Sequence, residues 1–119
     1  MRDFHELRVW SKAHQLVLAI YKASASYPKN EAYGLISQSR RAAASIASNI
    51  AEGCGRNTEP NFARFLYIAM GSASEVQYNL LLAHDLGFLS SAIFQQLDAN
   101  VIEVKRMLVT LIKRLRADS

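Results

Sequence analysis

Residues 50–57 read IAEGCGRN, from Ile50 to Asn57. Two glycines and an arginine in so short a space are either a phosphate-cradling loop or the punctuation between two helices. A P-loop needs a strand before it, a longer glycine-spaced loop, and a lysine followed by serine or threonine at the start of a helix. Here the preceding residues carry helical apolar spacing, and no lysine follows. The dinucleotide-binding pattern also fails, because Gly53-Cys54-Gly55 lacks both the third glycine and the strand. The stretch therefore reads as a helix end. Gly53 or Gly55 fits the left-handed residue that closes a helix. Thr58 fits the N-cap of the next helix, with Glu59 favourable in its first turn. Arg56 lies in the turn, within reach of helix carbonyls or of Glu52.

On either side of this break the apolar residues recur at intervals of three and four. Before it, Leu35, Ile36, Ala42, Ala43, Ile46 and Ile50 form one stripe of a helix spanning about residues 31–53. Its middle, Arg41 to Asn49, is rich in alanine and serine, which lets neighbouring helices come close. After it, Phe62, Phe65, Leu66, Ala69, Ala73, Val76, Leu80 and Ala83 mark a helix over about 58–86, some 40 Å long. Gly87 is its natural stop. Towards the N-terminus, Val9, Trp10, Ala13, Leu16, Val17, Ile20 and Tyr21 give a helix over about 7–26, ended by Tyr27-Pro28. Towards the C-terminus, Phe94, Leu97, Val101, Val104, Leu108, Leu111 and Leu115 give a fourth over about 91–116. Beside that stripe runs a second line, Ile102, Val109 and Ile112, which implies a wider buried face or contact with another chain.

No segment alternates with the period of a strand. The expected fold is all-α: an up-down-up-down antiparallel four-helix bundle, one domain over residues 1–119. Half the residues are hydrophobic and a fifth are charged, an ordinary globular balance. No apolar run approaches the ~18 residues of a membrane span. The opening MRDFHELRVW carries Asp3 and Glu6 and lacks a signal peptide's apolar stretch, so the chain is expected to be cytoplasmic.

The chemistry of a catalytic or metal site is hard to assemble from these residues. His5, His14 and His84 have no ligand spacing with one another, and Cys54 is the single cysteine. His84-Asp85 stands without the further motifs of a hydrolase. The serines sit in helices without a nucleophile elbow. No enzyme activity, cofactor or metal is expected. Asn49 and Glu52 lie near the Ile46/Ile50 stripe and are expected to join Arg41, Arg56 and Glu75 in a structural polar network. In a buried network, Glu52→Ala would cost on the order of 1–3 kcal/mol.

The cations carry more information. Fourteen Lys and Arg against ten Asp and Glu give a net charge of +4 and a pI of about 9.5. Lys105, Arg106, Lys113, Arg114 and Arg116 crowd the fourth helix, where they also complement the helix dipole. Arg40 and Arg41 lie mid-helix among alanines. Arg40 is expected to face solvent and to join the basic surface, and Arg41 to face the small-residue seam.

The run YGLISQSRRAAASIASNIAEGCGRNTEPNFARFLYIAMGSASE, Tyr33 to Glu75, with VWSKAHQLVLAIY and YPKNEAYGL before it, resembles a bacterial family of small four-helix proteins. Its members are often encoded in intervening sequences of the 23S ribosomal RNA gene. The resemblance implies an up-and-down bundle and, as in some members, a cyclic homopentamer. The accessory protein of diversity-generating retroelements is similar; it is a basic pentameric barrel that binds a reverse transcriptase and nucleic acid. Against the family pattern, Asn61 replaces a capping-box Glu, Ser39 stands where Leu usually precedes the arginine pair, and Ala47 replaces a frequent proline. Five copies of a +4 chain would carry about +20, a field that attracts phosphate without reading sequence. The expectation is a non-enzymatic, self-assembling scaffold. Its interface would be Ile102, Val109 and Ile112. It would bind nucleic acid or a nucleic-acid enzyme through Arg40, Lys105, Arg106, Lys113, Arg114 and Arg116. The rival expectation is a purely protein-binding adaptor whose basic charge is incidental.

Overall fold

The computed structural model describes residues 2–118. Among them four helices form one bundle: α1 (Arg8–Ser24), α2 (Ser37–Cys54), α3 (Glu59–Asp85) and α4 (Ser91–Asp118). No strand is present among the described residues. The body is elongated, 46 × 23 × 20 Å. Contact is most extensive between α2 and α3, then between α3 and α4 and between α1 and α2. Of the neighbouring pairs, it is thinnest between α1 and α4. Cross-helix bonds such as Ser45–Ser72 and Lys105–Gln77 fit antiparallel neighbours.

Each helix buries the stripe that its periodicity marks. Val9, Ala13, Leu16 and Ile20 of α1 are buried against Ala43, Ile46 and Ile50 of α2, Leu66, Val76 and Leu80 of α3, and Val101, Val104 and Leu108 of α4 in one core. α3 matches its expected limits to within one residue at both ends, whereas α1 and α2 match at one end and differ at the other. α1 stops at Ser24, two residues before Ser26. α2 starts at Ser37 rather than near residue 31, because a short 3-10 turn (Lys29–Glu31) and a π turn (Ala32–Ile36) precede it. The Glu31 carboxylate accepts the Leu35 N–H at 3.0 Å and so replaces a backbone partner in this segment.

The caps of α3 match their sequence signals. The Thr58 hydroxyl accepts the Asn61 N–H at 3.3 Å. At the other end Gly87 has φ +83, the left-handed conformation that glycine adopts without penalty. Phe88 N–H reaches Ala83 C=O at 2.8 Å and Gly87 N–H reaches His84 C=O at 2.9 Å, the paired bonds of a Schellman close. The Phe88 ring then packs 5.9 Å from Tyr27, fixing the α3–α4 turn against the end of α1.

The break at IAEGCGRN is a helix end, but neither of its glycines is left-handed. Gly55 has φ −79, and Gly53 lies inside α2. Gly53 serves another need: a Cβ there would stand 2.9 Å from Phe62 Cδ1 and 3.0 Å from Phe65 Cβ. Glycine lets α2 press onto the aromatic start of α3. Ser39, where a Leu is usual, is buried, and its Oγ finds no hydrogen-bond partner among the described residues.

Gly53→Ala should therefore destabilise the fold by about 1–3 kcal/mol through overpacking. Gly71→Ala, at a mid-helix glycine with open space around it, should stabilise by up to about 1 kcal/mol through helix propensity. Denaturant midpoints compared at constant m-value test both. Equal midpoints for Gly53→Ala and the unmodified chain would refute the close-approach account.

Candidate nucleic-acid and subunit interface

The outward surface of α4 separates two grooves. On its α3 side lies a groove of about 520 Å³ lined by Met70, Gln77, Ile102, Lys105, Arg106, Val109 and Thr110. Its floor is apolar, and Val109 remains 37% exposed. Lys105 Nζ donates to Gln77 Oε1 at 3.1 Å, and Gln77 Nε2 donates to Asp98 Oδ1 at 3.4 Å, so Lys105 is held along the wall. On the α1 side lies a groove of about 390 Å³ lined by Leu7, Arg8, Val9, Met107, Thr110, Leu111 and Arg114. No acid lines either groove. Arg106, Lys113 and Arg114 are exposed on this outward side of α4.

This arrangement gathers some of the expected residues and separates others. Ile102 and Val109 share the α3-side groove with Lys105 and Arg106. Ile112 does not belong with them; it is 5% exposed and part of the subunit's own core. Three residues after Val109 the helix has turned almost full circle, leaving Ile112 about 60° further round towards the core. Arg116 is also engaged within the chain, with its Nη1 3.5 Å from the Tyr67 hydroxyl. Arg8 was not singled out by its sequence context. It joins Arg114 only because α1 starts where α4 ends.

The arginine pair is reversed relative to expectation. Arg40 is the half-buried member: its Nε donates to Ser24 Oγ at 2.9 Å, its Nη2 to Tyr21 C=O at 3.1 Å, and its guanidinium lies 4.7 Å from the Tyr21 ring centroid. Tyr21 is in the last turn of α1, where carbonyls lack a backbone partner, and the Ser24 hydroxyl donates to its C=O at 3.3 Å. Arg40 supplies a second partner from α2. Arg41 is exposed and makes no hydrogen bond or ion pair among the described residues.

The expected polar network resolves into separate local contacts. Arg56 Nη2 bonds Glu52 Oε1 at 2.9 Å, an exposed pair four residues apart. Arg56 also lies 4.6 Å from the Phe65 ring centroid. Asn49 instead donates to Ser45, whose hydroxyl meets Ser72 across the α2–α3 seam at 2.9 Å. Glu75 is exposed and without a partner among the described residues. The residue that clasps this end is Arg2: its N–H reaches Cys54 C=O at 2.8 Å, its guanidinium bonds Glu59 at 2.8 Å and lies 4.5 Å from the Phe62 ring centroid. Beneath it Cys54 is buried, and burial raises its thiol pKa, with the Arg2 charge opposing.

Among the described residues no group of three or more His, Cys, Asp and Glu is placed to hold a metal ion. No helix is long and apolar enough to cross a membrane. The fold is a small four-helix bundle, and basic residues line the two grooves beside its α4. The chain is a member of the 23S rRNA-intervening sequence protein family, whose model matches residues 5–110. It is similar to a crystal structure from Bacteroides thetaiotaomicron, of a protein with unknown function from the S23 ribosomal protein family. The two share a TM-score of 0.82 at 22% identity, over 88% of this chain and 95% of that one, a likeness of fold. No curated protein matches the chain.

These contacts invert the expected mutational pattern. Arg40→Ala should destabilise by about 1–3 kcal/mol, since it removes charge-assisted bonds to a helix end. Arg41→Ala should fall within about 0.5 kcal/mol of the unmodified chain. Glu52→Ala breaks only an exposed pair and should cost no more than about 0.5 kcal/mol. Equilibrium unfolding of the three variants checks this order, which fails if Arg41→Ala is the most damaging.

Proposed function

We propose that this protein is a non-enzymatic scaffold that assembles from identical subunits, most simply a ring of five, and binds nucleic acid or a nucleic-acid enzyme through α4. One observation carries the reading: an apolar groove and a basic surface lie side by side on the same helix. Ile102 and Val109 would meet a second copy in the α3-side groove. Arg8, Lys113 and Arg114 would stay outside that contact and face phosphate. In a closed ring symmetry repeats the basic surface at fixed spacing, so its field grows without any new residue. The family description refers to 23S rRNA intervening sequences, an RNA context that supports the same reading. Backbone contacts of this kind position a nucleic acid and carry little sequence information.

The adaptor reading draws on the exposed Tyr67 and Tyr78 of α3, apolar surface suited to a partner protein. Salt dependence separates the two. Under our proposal, filter binding weakens steeply with salt, and the triple change Arg8→Gln, Lys113→Gln, Arg114→Gln flattens the log–log slope by up to about 0.9 per residue. Failure of duplex and single-stranded RNA and DNA alike to bind at about 50 mM salt, where phosphate contacts are strong, would leave only the scaffold. Light scattering tests assembly: the unmodified protein should run as an oligomer and Val109→Asp as a smaller species. A monomer at micromolar concentration would remove self-assembly from the proposal.

A further inference from the structure

The α1–α4 seam is the thinnest in the bundle, and near the C-terminal end of α1 it opens. Ala19 and Ala23 stand one turn apart on α1 and are too short to fill the space towards α4. The result is a cleft of about 410 Å³, within the size range of small-molecule sites. Its floor is Ala19, Ala23, Leu97 and Ile93, and Ile93 is 45% exposed. The subunit therefore leaves an apolar trough uncovered between two polar walls.

The walls have a definite chemistry. Lys22 and Ser26 stand on the α1 side, Gln96 and Asn100 on the α4 side. Ser26 Oγ already donates to Ala23 C=O at 2.9 Å. Lys22, Gln96 and Asn100 make no hydrogen bond or ion pair among the described residues. No acid lines the cleft. Asn100 also borders a smaller neighbouring cleft, whose acid, Glu103, is held by Lys12 at 3.6 Å.

We infer that this cleft binds a medium-chain carboxylate, with the hydrocarbon tail on the alanine-lined floor and the carboxylate between the Lys22 ammonium and the amides of Gln96 and Asn100. One cation with neutral donors suits a single negative charge. A phosphate dianion would call for a second cation or a bidentate arginine, and none lines the cleft. The apolar trough selects a tail, because burying it removes hydrocarbon from water. Lys22 also complements the dipole at the end of α1, so its test must read ligand preference rather than stability alone.

The probes are octanoate, octanol and octylamine, each well below its micellar concentration, with melting temperature as readout. Octanoate should raise the melting temperature progressively with concentration, octanol less, and octylamine not at all. Lys22→Met keeps the exposed stem and loses the charge; it should erase the advantage of octanoate over octanol. Ala23→Leu fills the floor and should abolish both shifts. If that variant does not fold, Lys22→Met carries the test alone. No rise with octanoate, equal rises with octanoate and octanol in the unmodified protein, or an unchanged octanoate preference in Lys22→Met would each overturn the inference.

Discussion

At Gly53 the backbone of α2 touches the Phe62 ring and the Phe65 Cβ with no room for a methyl group. That contact sets how near the two central helices lie at one end. Small residues allow the closeness to continue: Ala42, Ala43 and Ala47 are buried on α2, and Ala69 and Ala73 on α3. Midway, the helices approach closely enough for Ser45 and Ser72 to share a hydrogen bond. α1 and α4 pack around this pair with larger side chains such as Leu16, Ile20, Val104 and Leu108. Of the neighbouring pairs they meet one another least, and three clefts lie between them.

The bundle divides its cations by use. Arg2, Arg40, Arg56 and Arg64 lie over aromatic rings, and the first three also bond a carboxylate, a hydroxyl or a carbonyl. Arg2 and Arg40 join separate segments in this way, whereas Arg56 pairs locally with Glu52 and Arg64 lies over the ring of its own neighbour, Phe65. Arg8, Arg106, Lys113 and Arg114 instead remain exposed beside the grooves of α4. Part of the net charge of +4 is therefore presented beside the grooves of α4, where no acid lines the walls.

The helices were legible because their signals are local: the spacing of apolar residues, Thr58 before α3, and Gly87 after it. The turn before α2 was not, since a side chain, the Glu31 carboxylate, replaces a backbone partner there. The candidate surface was legible only in part. A stripe on one helix records which residues lie on related sides, and so Ile102 and Val109 could be read. Ile112 shows the limit of that reading, because a rotation of tens of degrees separates core from groove. Arg8 could not be read at all, because its groove exists only once α1 and α4 are side by side. The arginine pair escapes a sequence reading for a similar reason. Adjacent residues on a helix point about 100° apart, and only the position of the Tyr21 carbonyl decides which of them is recruited.

That recruitment couples two helices in time as well as in space. The final turn of an isolated helix frays freely, because its carbonyls bond only to water. In α1 the Tyr21 carbonyl and the Ser24 hydroxyl are instead held by a side chain rooted in α2. Opening the end of α1 therefore requires Arg40 to release it, and loss of α2 leaves the Tyr21 carbonyl with only the Ser24 hydroxyl of its own helix, at 3.3 Å. The amides of the last turn of α1 and those around Arg40 would then share one opening event, a cooperative unit that a bundle closed only by apolar packing would lack at its edge.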